Sequence, residues 1–426
     1  MEDMRPVSLS SLYSGVRDRT QSLVAGLSAE DMLVQTMADV SPTKWHLAHT
    51  TWFWETFLLR EHLPGYVEFS SEYNYLFNSY YDGIGDRHAR PERGFLSRPP
   101  HEDVLSYRAH VDAAMTRLLS IDQDIENAAL APLIQLGLAH EEQHQELILT
   151  DIKHVLSRHP FAPAAFPAPT SGAGTRAGAP GWVGFDGGVV EIGAREEGFH
   201  FDNEGPRHQT ILTPFALADR LATNRDYAAF IADGGYDTAA LWLSDGWARV
   251  LAEGWRAPLY WREGETGWEE FTLHGQYPLE PDAPVIHLSY YEASAFAEWS
   301  GARLPDEREW EHAAMTVSRT RDGRFAEPGR SAHPGVTPEV QAGAGGLRQM
   351  FGDAWEWTRS AYSPYPRYRP AAGAVGEYNG KFMCGQFVLR GGSCATAPDH
   401  IRPTYRNFFP PEARWQFSGV RLARDV

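Results

Sequence analysis

His140 and His144, in the stretch LGLAHEEQHQELILTDIKH, stand four residues apart on an apolar-periodic segment, so a helix there presents both imidazoles on one face. Two neutral imidazoles fixed in this way can converge on one divalent cation. Upstream, SPTKWHLAHTTWFWETFLL offers His46 and His49, either of which could complete a three-histidine set, and spacing alone does not choose between them. Three neutral imidazoles leave the double charge of the ion uncompensated and, in octahedral geometry, three positions open, where the commoner iron triad has two histidines and a carboxylate. Such a centre favours an anionic ligand, and ferrous iron carrying a thiolate could still bind and reduce O₂ at a vacant position.

The same five residues, His140-Glu141-Glu142-Gln143-His144, also satisfy H-E-x-x-H, in which two histidines bind zinc and the glutamate is the general base of a metallopeptidase. The longer protease signature fails, because Leu147 stands where Gly is required and Thr150 where a third His is required. In a loop between two of the expected helices, Tyr80 and Tyr81 offer phenols that can donate a proton to reduced oxygen. Arg87, Arg90 and Arg93 follow in DRHARPERG, and a guanidinium grips a carboxylate bidentately. Close to the C-terminus, YRNFFPPEARWQFSG gathers Tyr405, Asn407, Phe408, Phe409 and Trp415 into an aromatic wall suited to a cationic ligand.

These residues need elements to hold them. From Ser8 to about His159 glycine is scarce and apolar residues recur at i, i+3, i+4, which predicts four long helices over Ser10–Gly26, Ser41–Arg60, Pro100–Leu119 and Asn127–Leu156, enough to close a bundle. Helix starts are expected at Ser28-Ala29-Glu30 and at Ser41-Pro42, with serine as cap and proline in the first turn. PFAPAAFPAPTSGAGTRAGAPG then reads as a linker, so the expected division is 1–160 for the bundle, 161–182 for the linker and 183–426 for a second domain. That second domain alternates short β-like runs, GGVVEIGA, HQTILTPFALA and FVLRGGS, with a helical pair, SYYEASAFAEWSG and PDEREWEHAAM, and is read as α+β.

A chain of 426 residues accommodates two such domains. With 38 Lys and Arg against 56 Asp and Glu, the net charge of −18 argues against nucleic acid or an anionic membrane as partner and leaves small molecules as the expected substrates. Two cysteines, Cys384 and Cys394, build no disulfide framework or zinc ribbon, and no basic leader or membrane-length apolar run is present, so a cytoplasmic location is expected.

The set SPTKWHLAHTTWFWE, FNSYYDGIG, RPERGFLSRP, HEEQHQE, DNEGPRH, LPDEREWEHAA, FGDAWEW, GEYNGKFMCGQFVLRGGSCAT and IRPTYRNFFPPEARWQFSG resembles the ergothioneine-biosynthesis sulfoxide synthases, in particular the branch that uses free cysteine. The resemblance implies a DinB-like four-helix bundle followed by a C-type-lectin-like domain similar to the formylglycine-generating enzymes and sulfatase-modifying factors. Those enzymes use a close cysteine pair for copper chemistry, which Cys384 and Cys394 do not match, so the scaffold alone carries over.

By the same resemblance His49, His140 and His144 are the ligands of Fe(II), and His46 is a neighbour. The implied reaction is the O₂-dependent joining of the sulfur of L-cysteine to C2 of the imidazole of hercynine, N-α-trimethylhistidine, giving hercynyl-cysteine sulfoxide. Tyr80 or Tyr81 matches the position of tyrosines that steer the outcome away from thiol dioxygenation. Arg90 and Arg93, with Arg87 beside them, look like the arginines that bind the cysteine carboxylate. Gln143, Asn407 and Phe408 resemble hercynine-binding positions, which implies one pocket drawing on both domains. The alternatives are a relative that takes γ-glutamylcysteine or a selenosugar as chalcogen donor, a zinc hydrolase working through Glu141, and a non-catalytic binding module.

Overall fold

The hydroxyl of Ser8 accepts the amide of Ser11 and so starts a helix, α1 (Leu9–Val24), whose apolar stripe of Tyr13, Val16 and Val24 is buried. In the computed structural model, residues 8–120, 126–167, 178–316, 323–327, 332–335 and 346–426 are described. Three further long helices follow: α2 (Thr43–Trp54), α3 (His101–Ser120) and α4 (Glu126–Ser157). Three of them match the predicted ranges to within two residues at each end, while the helix predicted over Ser41–Arg60 is α-helical only over Thr43–Trp54. Ser28 does form the expected reciprocal cap with Asp31, but only a single 3₁₀ turn, Asp31–Leu33, comes of it.

Every residue of α2 is buried, so this helix is packed on all sides and carries no solvent stripe. The expected serine cap at its start is absent. Pro42 precedes the helix, while the Ser41 amide donates to Asp151 on α4 and the Ser41 hydroxyl accepts from Arg93. After Trp54 the helix widens into one π turn, Glu55–Leu59, a form that recurs at functional sites. Gly137 of α4 lets the two helices approach closely, since a Cβ there would stand 2.6 Å from the ring of Trp54. Leu47, Leu58, Val104, Met115, Ile134 and Ile148 close the core around them.

The chain forms two compact units, Met1–Phe161 with Ala372–Tyr378, and Ala162–Ala371 with Asn379–Val426. The short stretch 372–378 therefore belongs with the helices although it is far from them in sequence. It is held to the loop after Phe77 by the Glu377 carboxylate, which accepts the amides of Asp82 at 2.8 Å and Gly83 at 2.9 Å.

The second unit opens with β1 (Trp182–Phe185), β2 (Gly188–Ile192), β3 (His208–Leu212) and β4 (Phe215–Ala218), then α5 (Asn224–Ala232) and α6 (Ser244–Glu253). A meander of β5 (Trp261–Gly264), β6 (Gly267–Thr272) and β7 (Gly275–Pro278) leads to the expected helical pair, α7 (Tyr290–Trp299) and α8 (Glu307–Thr316). The chain ends in β8 (Trp355–Ala361), β9 (Phe387–Arg390), β10 (Asn407–Phe409), β11 (Ser418–Gly419) and β12 (Ala423–Asp425). The strands form sheets ordered β1-β4-β12, β10-β9-β8-β11, β2-β3 and β5-β6-β7, with β8 and β11 the parallel pair.

Several buried charges in this unit are paired: the Arg421 guanidinium donates to Glu356 at 2.9 Å with both fully buried, and Glu307 accepts from Arg390 and Arg406. Of the predicted linker, Ala165 and Phe166 hydrogen-bond the Leu273 carbonyl, and 168–177 lie outside the described residues. Among the described residues no helix is long and apolar enough to cross a membrane.

Candidate metal centre

His49 projects from α2, His140 and His144 from α4, and one ring nitrogen of each lies within 4.8 Å of the others. All three are buried, and the Nε2 atoms of His49 and His140 stand 3.3 Å apart. No other group of three or more metal-ligating side chains converges among the described residues. Burial pushes the His140 imidazole down to about 4 and holds His49 and His144 well below the ordinary value, so the three are neutral near pH 7 and their lone pairs are free for a cation. The His49 Nδ1 lies 2.6 Å from the Phe77 carbonyl. A carbonyl only accepts, so Nδ1 carries the proton and Nε2 the lone pair. This donor set suits a divalent transition metal.

His46 lies beside this cluster. Its Nδ1 is 2.8 Å from His144 Nδ1 and its Nε2 is 3.0 Å from Asp151 Oδ2, so both nitrogens are engaged by protein groups and neither is directed to the three-nitrogen cluster. The Trp45 ring stacks on His49 at 4.6 Å, and the Arg93 guanidinium covers Trp45, 3.4 Å from a ring centroid.

Glu141 is turned away. Its carboxylate accepts Arg17 Nη1 at 3.0 Å, Arg108 Nη2 at 3.3 Å, Trp54 Nε1 at 2.8 Å and Thr20 Oγ1 at 2.8 Å. Burial by itself would raise this carboxyl, but Arg17 and Arg108, with the indole and hydroxyl donors, outweigh it and hold the group down at about 2. A general base must be accessible and near the operating pH. Glu141 is neither, and it serves to tie α1, α3 and α2 to α4.

Tyr80 accepts from Arg90 Nη1 at 3.0 Å, and its ring meets that of Tyr378 at 6.4 Å. Tyr81 is buried against Trp52 and Phe57, with centroids at 5.6 and 5.1 Å. A phenol in ring contact with a site histidine is that of Tyr378, whose ring stands edge-on to His140 at 6.3 Å. Burial, with Tyr80 adding to it, pushes the Tyr378 hydroxyl up, so it stays protonated and able to donate. Sequence reasoning did not single it out; the signal was GEYNGKF, a conspicuous motif with no local partner.

A cleft of about 820 Å³ is lined by Ser79, Tyr80, Asp82, Arg87, Arg90 and Arg93 among others. Arg87 pairs with Asp82. Arg90 reaches only neutral groups, Tyr80 and the Asp39 carbonyl, and Arg93 donates to the hydroxyls of Ser41 at 2.9 Å and Ser79 at 3.1 Å. Among the described residues neither has a carboxylate partner. Burial pushes the Arg93 guanidinium down to about 9, so an anion in the cleft would restore its preference for the charged form.

Gln143 is half-buried on α4, one turn past His140. Asn407 and Phe408 lie on β10 of the second unit, where Phe408 stacks on Tyr362 at 4.1 Å and on Phe382 at 5.8 Å, and the Asn407 Oδ1 accepts the Phe408 amide.

Two family models match the chain, one described as the DinB superfamily over residues 12–148 and one as a sulfatase-modifying factor enzyme 1-like domain over 168–426. The chain is 35% identical to a protein of Mycolicibacterium smegmatis named hercynine oxygenase, covering 96% of this chain and 97% of that one. A protein of the same name from Mycobacterium tuberculosis is 33% identical, with 99% of each covered. The formylglycine-generating enzyme of Streptomyces coelicolor is 30% identical over 58% of this chain and 90% of its own.

Proposed function

Because this chain belongs to the hercynine oxygenase family, we propose that it joins the sulfur of L-cysteine to imidazole C2 of hercynine, with O₂, to give hercynyl-cysteine sulfoxide in ergothioneine biosynthesis. The balance is simple: a C–H and an S–H bond break, a C–S bond forms, one oxygen atom ends on sulfur and the other leaves as water. The observation that carries the reading is a buried cluster of three neutral imidazoles without a carboxylate among them, beside a glutamate that is sequestered from any catalytic use. His49, His140 and His144 would hold Fe(II), which when bound supplies the one-electron chemistry that lets O₂ react with a thiolate and an aromatic carbon.

The chain's own residues take the remaining roles. Arg90 and Arg93, unneutralised at the cleft, hold the cysteine carboxylate, and Arg87, already paired with Asp82, contributes less. Orientation by two guanidinium groups removes the entropy cost of aligning the sulfur with its target. Tyr378, edge-on to the ring of His140, donates the proton that directs the outcome to C–S bond formation, with Tyr80 beside it and Tyr81 closing the apolar wall. Gln143, Asn407 and Phe408 are assigned to hercynine on the strength of the family resemblance. The buried ion pairs of Glu141 speak against a zinc hydrolase.

The test is anaerobic loading with ferrous iron, addition of hercynine and cysteine, exposure to air and mass spectrometry. Sulfoxide that requires both iron and O₂ is the expected result. Bound iron without product from cysteine would redirect the reading to γ-glutamylcysteine or a selenosugar as donor.

A further inference from the structure

We infer that Asp151 and His46 form a one-way hydrogen-bond relay that fixes which nitrogen of His144 is presented to the metal, which makes both of them positioning residues of the centre. The inference rests on the metal-binding reading above and goes beyond it to residues outside the ligand set. Its starting point is Ser41, whose backbone N–H can only donate and lies 2.7 Å from Asp151 Oδ2. That oxygen therefore acts as an acceptor. The same oxygen is 3.0 Å from His46 Nε2, which must then be the donor.

A neutral imidazole carries one N–H, so His46 Nδ1 is left with a lone pair. It faces His144 Nδ1 at 2.8 Å, which must supply the proton for this contact. His144 Nε2 is thereby the lone-pair nitrogen. With the opposite polarity the proton would sit on His144 Nε2 and block it. His49 reaches the same end by a shorter route, through the Phe77 carbonyl. His140 Nδ1 has no hydrogen-bond partner among the described residues, so two of the three rings are braced from behind and one is not.

The relay is legible as a pattern: His46 lies one turn before His49 on α2, and Asp151 lies two turns after His144 on α4, so each helix carries a ligand and a supporting group on one face. Partners of this kind typically change metal affinity by about 10- to 100-fold when removed.

The experiment measures the dissociation constant for Co(II), by competition with a chelator and by the visible ligand-field spectrum, in the full chain and in two matched pairs. His46→Phe keeps the ring volume and removes the acceptor, whereas His46→Gln keeps an amide oxygen that can accept from His144 Nδ1. Asp151→Leu and Asp151→Asn make the same contrast one step further back. Phe and Leu should weaken binding by about 10-fold or more, with Gln and Asn within about 3-fold of the parent. Thermal unfolding near that of the parent identifies the variants that report on the site, and either pair alone decides. Equal affinity across a pair overturns the relay, whether both members bind like the parent or both are weakened alike. A parent chain that binds no Co(II) removes the metal-binding reading itself, a result distinct from the failure of the relay.

Discussion

Glu141 follows a proposed ligand directly in sequence and yet points to a different flank of the helix, because successive residues are rotated by about 100°. On that side it meets Arg17 and Arg108, and the buried ion pairs are worth more as a tether than as chemistry. Glu141→Gln should therefore destabilise the fold by about 3 kcal/mol in urea unfolding, since buried Arg108 loses its carboxylate partner and Arg17 is left with Asp112 alone. Co(II) stoichiometry should be unchanged; loss of the metal from a folded variant would return Glu141 to the site. The histidines set a pH dependence of definite sign. His140 titrates at about 4 when folded against an ordinary 6.5. Between those values the unfolded chain binds a proton that the folded chain refuses, so its contribution to stability is full above about 6.5 and is lost as the pH falls toward 4. The urea midpoint of the metal-free protein should drop between pH 7 and pH 5, and a His140→Asn variant should drop less. Of the site residues, the pair at 140 and 144 was readable from spacing, and the choice of His49 over His46 came from resemblance. The reason His46 is excluded is spatial: its two nitrogens are taken by His144 and Asp151.

At the scale of elements, the centre depends on how closely α2 and α4 approach. Gly137 is the contact that permits it, and the facing Trp54 ring is pinned by its hydrogen bond to Glu141 and cannot swing aside. Gly137→Ala would gain helix propensity, which is worth about 1 kcal/mol, and lose more to overpacking, about 1–3 kcal/mol. The net expectation is a lower unfolding temperature together with weaker Co(II) binding, because displacing α4 separates His140 from His49. An unchanged affinity would show that the histidine geometry tolerates movement of the helices. The four helices were legible because apolar spacing repeats with the helical turn. The π turn at Glu55–Leu59 was not, since no residue type marks it; there Glu55 accepts from Tyr66 and Tyr107, each at 2.5 Å, which becomes visible only when α3 is packed alongside.

At the scale of the molecule, residues 372–378 leave the sequence neighbourhood of the second unit and join the first, carrying Tyr378 to His140. Replacing 372–378 by a Gly/Ser stretch of equal length should leave Co(II) affinity nearly intact and reduce sulfoxide formation by about 100-fold or more, the usual worth of a proton donor. Tyr378→Phe alone should reproduce most of that loss and shift product toward cysteine sulfinate, measured by mass spectrometry; an unchanged product ratio would return the role to Tyr80 or Tyr81. Sequence by itself determined the two domain types, the four long helices of the bundle, the histidine pair and the departure from the longer protease signature, because each of these is written in local spacing or in motif order, whereas the helices Asn224–Ala232 and Ser244–Glu253 were not read from it. Tertiary structure alone decided that Glu141 is a tether, that His46 stands behind His144, that Arg90 and Arg93 have no carboxylate partner among the described residues and that the ring of Tyr378 meets His140. Each of those depends on which groups meet across helices or across long stretches of chain, and burial, not sequence distance, sets what a charge or a lone pair can then do.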